Sequence, residues 1–135
     1  MSTSSNSKGW NIALWILQVI LAAMFAMAGF TKAATPLTEL ATMMPWTADV
    51  PAAMVRFIGA SEILGGVGLL LPALLRIKPV LTPVAAAGLV LVMVLAALFH
   101  ISRGEYPAIG FNFVFAALAA IVAWGRFKKA PIAAR

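Results

Sequence analysis

Hydrophobic residues fill four long stretches of the chain, and charged residues lie mainly between them. The uncharged runs cover residues 9–31, 63–75, 79–102 and 106–125. A membrane core about 30 Å thick requires about 20 apolar residues of helix, and three of the four runs reach that length alone. The run at 63–75 reaches it only when it is extended back through Glu62 and Arg56 towards Pro51. The pattern therefore predicts four membrane-spanning helices.

Prolines and charged residues between the runs set the expected helix boundaries. Helices are expected at about 10–32, 51–75, 79–102 and 107–124. Pro79 and Pro83 fit the beginning of the third helix, because the first N–H groups of a helix have no intrahelical partner. The fold class is predicted to be all-α, a transmembrane four-helix bundle at 10–126. A disordered cytoplasmic tail is expected at 1–9, and a basic cytoplasmic tail at 127–135.

The first loop carries its own helical signal in "TPLTELATMMPW". Thr35 can cap a short helix that has Pro36 at its first position, and Pro45 would end it. Apolar residues repeat there at helical spacing: Leu37, Leu40, Met43 and Met44. The pattern predicts a short helix that lies flat on the membrane interface with Trp46 as an anchor. An ordered loop without a helix is the alternative.

The first hydrophobic run also has some features of a cleavable signal peptide. Lys8 precedes it, and "AGFTKAA" follows with small residues like those of a cleavage site. The run is 23 residues long, however, and the apolar part of a signal peptide usually has about 7 to 15. We therefore interpret the run as a retained helix.

Composition excludes several kinds of chemistry. Hydrophobic residues make up 63% of the chain and charged residues 10%, as in membrane proteins. The absence of cysteine excludes disulfides, thiol relays, iron–sulfur clusters and thiolate zinc sites. One histidine excludes a bis-histidine haem, and the set of one His, one Glu and one Asn in the spans is too small for a zinc site. We expect no metal, and we interpret the seven methionines and eight phenylalanines as packing residues.

The charge distribution indicates topology. Seven of the ten Lys and Arg residues belong to the N-terminus, the second loop and the C-terminus, and three belong to the opposite side. By the positive-inside rule, both termini are cytoplasmic in a multi-pass protein of the cell membrane. The net charge of +6 is thus explained by topology and by attraction to lipid headgroups. We expect the lipid bilayer, and not a nucleic acid, as the partner.

Polar residues within the spans lie on helix faces that also carry small residues. Gly59, Glu62 and Gly66 fall within a sector of about 60° on the second helix. Small residues usually mark the face of a membrane helix that packs against other helices. Similar faces contain Lys32 with Ala22 and Gly29, His100 with Ala96 and Ala97, and Asn112 with Ala116, Ala119 and Ala123. All four helices are expected to direct a polar group into the bundle.

These polar groups are expected to lie at similar depths in the membrane. The candidate ligand-binding residues, all expected in the outer half of the bundle, are Lys32, Arg56, Glu62, His100 and Asn112. An ionisable residue inside a membrane suggests function by default, and Glu62 is the candidate catalytic residue. The alternatives are helix–helix hydrogen bonds for Glu62 and Asn112, a solvated end position for His100, and snorkelling to headgroups for Lys32 and Arg56. Gln18, Arg103 and Glu105 are interpreted as structural or solvated.

Several of these segments resemble the DoxX-like family of small four-helix membrane proteins. The resemblance covers about residues 10–126, and its most specific part is "RFIG-x-x-E-x-LG-x-x-GLLLP", followed by a Phe–His pair and a late asparagine. The broader group is similar to the small membrane subunit of thiosulfate:quinone oxidoreductases and, more remotely, to the sterol isomerase class. Those isomerases use a His, Glu and Asn set inside the bundle. The resemblance would assign these positions to His100, Glu62 and Asn112.

Three functions remain open at this point. The first is an accessory or ligand-binding subunit of redox metabolism that holds a quinone and associates with a redox enzyme or with a second copy of itself. The second is an isomerase-type enzyme with Glu62 as the proton carrier. The third is a structural or stress-related membrane protein without catalytic activity. No cofactor other than the quinone is expected.

Overall fold

The computed structural model describes residues 5–135, with side chains from Ser7 onward. Its helices are α1 (Ser5–Ala34), α2 (Leu37–Met43), α3 (Ala52–Leu75), α4 (Leu81–Ser102) and α5 (Tyr106–Trp124). A 3₁₀ turn at Pro45–Asp49 follows α2, and a π-helical turn at Gly125–Lys129 continues α5. Residues 5–135 contain no strand. The predicted all-α class is confirmed.

Four of the helices, α1, α3, α4 and α5, are long and apolar enough to cross a membrane. They form a bundle, as predicted. Helix α1 begins at Ser5, about one turn before the predicted start, because backbone hydrogen bonding continues past the apolar run. Trp10 in this part of α1 packs edge-on against Trp124, with ring centroids 5.1 Å apart. Residues 1–4 of the predicted tail lie outside the described part of the chain.

The short helix α2 is present in the first loop, but its predicted cap is wrong. Pro36 occupies the N-cap position, and no side chain caps the helix. The carbonyl oxygen of Pro36 accepts hydrogen bonds from the N–H groups of Glu39 and Leu40 at 3.1 and 2.9 Å. The extended backbone of Pro36, with ψ of 141°, therefore begins the helix one residue later than Thr35 would.

Helices α1 and α3 form the closest seam of the bundle, and glycine makes it possible. A Cβ atom at Gly29 would lie 2.5 Å from the carbonyl oxygen of Gly59, and one at Gly59 would lie 2.6 Å from that of Gly29. Real Cβ atoms do not approach a backbone this closely. The two backbones therefore touch where only a residue without a side chain fits.

Helix α3 contacts α4 along its second half, and α4 packs along α5. Leu89 packs over Gly65, and Thr82 Oγ1 donates a hydrogen bond to the carbonyl oxygen of Gly68 at 3.0 Å. Most of the buried apolar core lies in the same half of the molecule, including Leu14, Leu21, Leu69, Ala86, Leu89, Ala119 and Val122. The four spans are therefore packed together tightly in one half of the bundle.

The bundle has two ends with different contents. We use the name loop end for the end that carries α2, the 3₁₀ turn and the α4–α5 turn. We use terminal end for the opposite end, which carries the start of α1, the α3–α4 turn and the π-helical turn. Most of the close-packed core lies towards the terminal end, and Phe25, Met93 and Phe115 extend it towards the loop end. All five candidate ligand-binding residues lie towards the loop end.

Candidate functional site

A cavity of about 1140 Å³ lies in the loop-end half of the bundle. It is lined by the last turns of α1 and α4, the first turns of α3 and α5, and the segment from Met43 to Trp46. Most of the lining is apolar. Six of the seven methionines take part in it: Met24, Met27, Met43, Met44, Met54 and Met93. Because methionine is unbranched and flexible, this lining can adapt to different shapes.

Lys32 and Glu62 form an ion pair at the edge of this cavity. Lys32 Nζ donates a hydrogen bond to Glu62 Oε1 at 2.8 Å, and the two side chains are 12% and 4% exposed. Each residue lies about one turn beyond a glycine of the α1–α3 seam, Gly29 or Gly59, so the close backbone contact brings the side chains together. A buried carboxylate requires such compensation. The expected contact between Glu62 and a neighbouring polar group is present.

Arg56 lies beside the cavity and is not part of its lining. Its Nη1 donates hydrogen bonds to the carbonyl oxygens of Lys32 and Thr35 at 2.9 and 2.7 Å. The first carbonyl belongs to the last turn of α1 and the second to the residue directly after it, where no further helical N–H is available to them. A cation also suits the negative end of a helix dipole. Arg56 thus fixes the end of α1 that carries Lys32.

Asn112 lines the cavity from α5 and is 6% exposed. Its Nδ2 atom is buried and has no hydrogen-bond partner, and it is the one such side-chain atom among the residues that the structure describes. A buried N–H group without a partner costs about 1–3 kcal/mol. The amide is therefore available to an acceptor that enters the cavity.

His100 lines the cavity near the loop end and contacts the α4–α5 turn. Its Nδ1 lies 2.9 Å from Glu105 Oε1, and an ionised carboxylate can only accept, so Nδ1 carries the proton of this hydrogen bond. Gly104 in the turn has a φ of +73°, a conformation that suits glycine at a helix C-terminus. This turn brings Glu105 back to the end of α4.

Arg103 extends this contact to the first loop. Its Nη2 donates to Asp49 Oδ2 at 2.7 Å, and its Nε donates to Glu105 Oε1 at 3.0 Å. The hydrogen bond from His100, and next the one from Arg103, lower the pKa of Glu105 below its ordinary value. Hydrogen bonds to Asp49 and Glu105 raise the pKa of Arg103. We call this set of four residues, His100, Arg103, Glu105 and Asp49, the loop-end latch.

Trp46 lies at the loop end and lines the cavity. Its ring packs edge-on against Phe99 and His100, with centroid distances of 5.8 and 6.4 Å. The 3₁₀ turn that carries Trp46 is therefore attached to α4 by aromatic contacts as well as by the latch. Trp46 was predicted as a membrane anchor, and its contacts with these rings had no local signal in the sequence.

The structure thus brings four of the five predicted residues, Lys32, Glu62, His100 and Asn112, to one cavity. Arg56 supports the cavity from outside. Glu105 and Arg103, which the sequence suggested were structural or solvated, contact His100 directly or through each other. Within residues 5–135, no three His, Cys, Asp or Glu side chains are grouped so that they could hold a metal ion.

The four long apolar helices and the cavity between them define a small multi-pass helical membrane protein with polar groups inside its bundle. The family model of the DoxX-like family matches residues 16–122, which is most of the chain. The protein belongs to the DoxX-like family. Neither the curated proteins nor the solved structures compared with the chain gave a match.

Proposed function

We propose that this protein is an accessory or ligand-binding membrane subunit of redox metabolism, and that its loop-end cavity holds a quinone or a similar lipophilic carbonyl compound. The single observation that carries the proposal is the unpartnered Nδ2 of Asn112 in an otherwise apolar cavity. Apolar cavities with a few well-placed polar groups are the usual form of small-molecule sites.

The polar groups of the cavity favour a ligand that accepts hydrogen bonds. Asn112 offers a free N–H donor, and Lys32 has three N–H groups, of which one is donated to Glu62. A quinone headgroup presents two carbonyl oxygens and no donor. Its ring and tail are apolar and suit a lining of methionine and phenylalanine. The volume of about 1140 Å³ is slightly above the usual range for ligand cavities, which is about 300 to 1,000 Å³, and leaves room for part of the alkyl tail.

Glu62 has the proton-handling role in this proposal. Reduction of a quinone adds protons as well as electrons, and the carboxylate is next to the cavity and paired with a cation. A carboxyl group in this position can accept a proton from the ligand or return one to it.

The buried Lys32–Glu62 pair also favours a second candidate, a membrane-embedded isomerase in which Glu62 carries the proton. Double-bond migration needs a group that removes a proton at one carbon and returns it at another. Turnover by the isolated protein would distinguish this candidate from a binding subunit. If neither binding nor turnover is found, the polar cluster is structural and holds the helices together.

The proposal also assigns an orientation in the cell membrane, with both termini cytoplasmic and the loop end outside. Its support is the excess of Lys and Arg at the terminal end. A redox enzyme or a second copy of this chain is the proposed protein partner. The cavity would then receive quinone from the outer leaflet.

The test is the binding of decylubiquinone to the protein in nanodiscs, with Asn112→Leu as the variant. Leucine has the same branched shape and number of side-chain heavy atoms, and it removes the N–H donor. Loss of one hydrogen bond of about 1.4 kcal/mol weakens binding about tenfold. Binding is followed by quenching of tryptophan fluorescence, since Trp46 lies at the cavity.

Ser61→Ala is the matched control. Ser61 also lines the cavity, but its Oγ already donates to the carbonyl oxygen of Phe57 at 2.9 Å, so its removal should leave the affinity nearly unchanged. Decylbenzene has the same alkyl tail and no carbonyl, and it should bind more weakly than decylubiquinone. Equal binding of the two compounds, or equal affinity of Asn112→Leu and the wild type, would contradict the proposal.

A further inference from the structure

Charge is divided unequally between the two ends of the bundle. Seven of the ten cations belong to the terminal end: Lys8, Arg76, Lys78, Arg126, Lys128, Lys129 and Arg135. The four acidic residues, Glu39, Asp49, Glu62 and Glu105, all belong to the loop end. No carboxylate side chain of this sequence therefore lies at the terminal end to balance the cations there.

The loop-end cations differ in that two of the three have an acidic partner within the protein. Lys32 pairs with Glu62, and Arg103 pairs with Asp49 and Glu105. Arg56 donates to two backbone carbonyls. The seven cations at the terminal end have no acidic side chain as a partner, whereas two of the three at the loop end have one.

Residues 130–135 bring further cations to the α3–α4 turn. Arg76 Nε donates to the carbonyl oxygen of Ala133 at 2.8 Å, and the N–H of Arg135 donates to the carbonyl oxygen of Arg76 at 3.0 Å. We call residues 130–135 the strap. These hydrogen bonds place the backbones of Arg76 and Arg135 side by side, with Lys78 two residues further along the turn.

The turn holds its basic residues in an unusual conformation. Arg76 and Lys78 have φ values of +56° and +46°, in the left-handed region that residues with a side chain rarely adopt. Strained residues of this kind occur often at ligand clamps. The turn thus presents two cations from a constrained backbone, next to the cation at the end of the strap.

The start of the strap is anchored by a buried arginine. Arg126 is 3% exposed, and its Nη1 donates to the carbonyl oxygen of Ala130 at 2.7 Å and to Asn11 Oδ1 at 2.8 Å. Its Nε donates to Gln18 Oε1 at 2.6 Å, and its guanidinium lies 5.5 Å from the Trp15 ring centroid. All of these partners are neutral. Arg126 therefore adds an uncompensated positive charge next to Ala130, the first residue of the strap.

The positions of two tryptophans indicate the depth at which the basic residues of the terminal end lie in the membrane. Trp10 and Trp124 form an edge-on pair at the terminal end of α1 and α5, and Trp124 is 46% exposed. Tryptophan in membrane proteins is enriched at the depth of the lipid headgroups. The anion at that depth is the lipid phosphate, and basic residues at a membrane surface attract anionic lipids.

From these observations we propose that the α3–α4 turn and the strap together bind the phosphate of an anionic phospholipid. Arg76, Lys78 and Arg135 supply the charge, and the lipid keeps the strap docked on the turn by reducing the repulsion between them. This site lies at the opposite end from the loop-end cavity and does not depend on the function proposed for that cavity.

The experiment measures amide hydrogen exchange in the strap, because the N–H of Arg135 is held by the carbonyl of Arg76. The full chain is placed in nanodiscs of phosphatidylcholine alone or of phosphatidylcholine mixed with phosphatidylglycerol. Exchange in the strap should be slower in the anionic nanodiscs. Equal exchange rates in the two kinds of nanodisc would overturn the proposal.

Lys78→Gln tests the turn directly. A basic residue near an anionic surface strengthens binding to that surface about fivefold. The protection that phosphatidylglycerol gives should therefore be about fivefold smaller in this variant than in the wild type. Arg135→Gln, which keeps the backbone N–H but removes the charge, is a second variant with the same expected result, for use if Lys78→Gln does not fold. Arg103→Gln, at the other end, is the control and should keep the full protection. Loss of protection to the same degree in the control would also overturn the proposal.

Inorganic phosphate distinguishes a lipid from a free anion. Added to phosphatidylcholine nanodiscs, it should leave exchange in the strap unchanged, because a free anion lacks the acyl chains that hold it beside the bundle. If inorganic phosphate protected the strap as well as phosphatidylglycerol does, the site would bind a soluble anion and the assignment to a lipid would be wrong.

Discussion

The loop end and the terminal end of this bundle both contain buried polar groups, but they hold them differently. At the terminal end, Arg126 makes hydrogen bonds to Gln18 and Asn11, and Gln18 in turn donates to the carbonyl oxygen of Leu69 at 2.7 Å. At the loop end, Asn112 has a free N–H, and Lys32 and Glu62 border a cavity of about 1140 Å³.

This difference separates stability from binding. Where polar groups satisfy one another between close-packed helices, they connect the helices and leave no free donor or acceptor for a ligand inside the bundle. Where one donor is left free beside adaptable apolar side chains, a ligand can supply the missing partner. The interior of the terminal end therefore acts as the scaffold, and the loop-end cavity is the better place for a binding site inside the bundle.

The largest expected effect concerns which side of the membrane each end faces. Ala48 and Lys128 are exposed, at the loop end and the terminal end respectively. Ala48→Cys should react fully with a membrane-impermeant thiol reagent added to intact cells, and Lys128→Cys should react only after permeabilisation. Ala48 is a better position than the neighbouring Thr47, which is buried. Labelling of Lys128→Cys in intact cells would reverse the proposed orientation.

The next effect should come from the scaffold. Arg126→Met removes the donors that satisfy Gln18 Oε1 and Asn11 Oδ1, and unsatisfied buried acceptors cost about 1–3 kcal/mol each. We expect the free energy of unfolding in detergent to fall by about 3 kcal/mol, with little change in the affinity of the folded protein for decylubiquinone. Lys128→Met, on the exposed side of the same turn, is the control and should be nearly neutral. A fully stable Arg126→Met protein would contradict the scaffold role.

A smaller effect on stability, but a specific one on binding, is expected at Glu62. The Glu62→Gln side chain cannot ionise, but it keeps an oxygen that can accept a hydrogen bond from Lys32 Nζ. The free energy of unfolding should therefore fall by only about 1 kcal/mol. If Glu62 exchanges a proton with the ligand, the relative affinity for reduced and oxidised decylubiquinone should vary with pH in the wild type and not in this variant.

The control for Glu62→Gln is again Ser61→Ala, which should keep the pH dependence of the wild type. Affinities that are independent of pH in the wild type would argue against proton exchange. Glu62 would then serve only to hold α1 against α3, and the structural interpretation would be the better one.

The sequence predicted the spans and the Glu62 contact because both follow from local patterns. Apolar run length determines which segments can cross a membrane, and Gly59 on the face of Glu62 marks the side on which α1 approaches. The Arg126–Gln18 hydrogen bond joins residues 108 positions apart, and nothing local relates them. The gathering of the methionines around one cavity is equally a property of the folded bundle. The cap at Thr35 was wrong because the backbone of Pro36 starts α2 without a side-chain partner.

The smallest expected effect concerns the loop-end latch. His100 and Arg103 lower the pKa of Glu105, so the ionised carboxylate is favoured in the folded protein. A lowered pKa gives stability that is complete above the pKa of the unfolded chain and is lost as the pH falls through the pKa of the folded protein. The attachment of the α4–α5 turn should therefore weaken in acid, below the ordinary carboxyl value of 4.5.

Glu105→Gln isolates this contribution of the latch. The melting temperature of the wild type should fall slightly more than that of the variant as the pH is lowered through this range, and the two should respond alike near neutral pH. Glu105 is at the solvent-exposed turn, where water and salt screen its interactions, and for this reason the difference should be small. Because His100 joins the latch to the cavity, the same acid titration should also weaken decylubiquinone binding in the wild type more than in Glu105→Gln. Identical acid responses of the two proteins would mean that the contacts of Trp46 with Phe99 and His100 hold the loop end without the ion pairs.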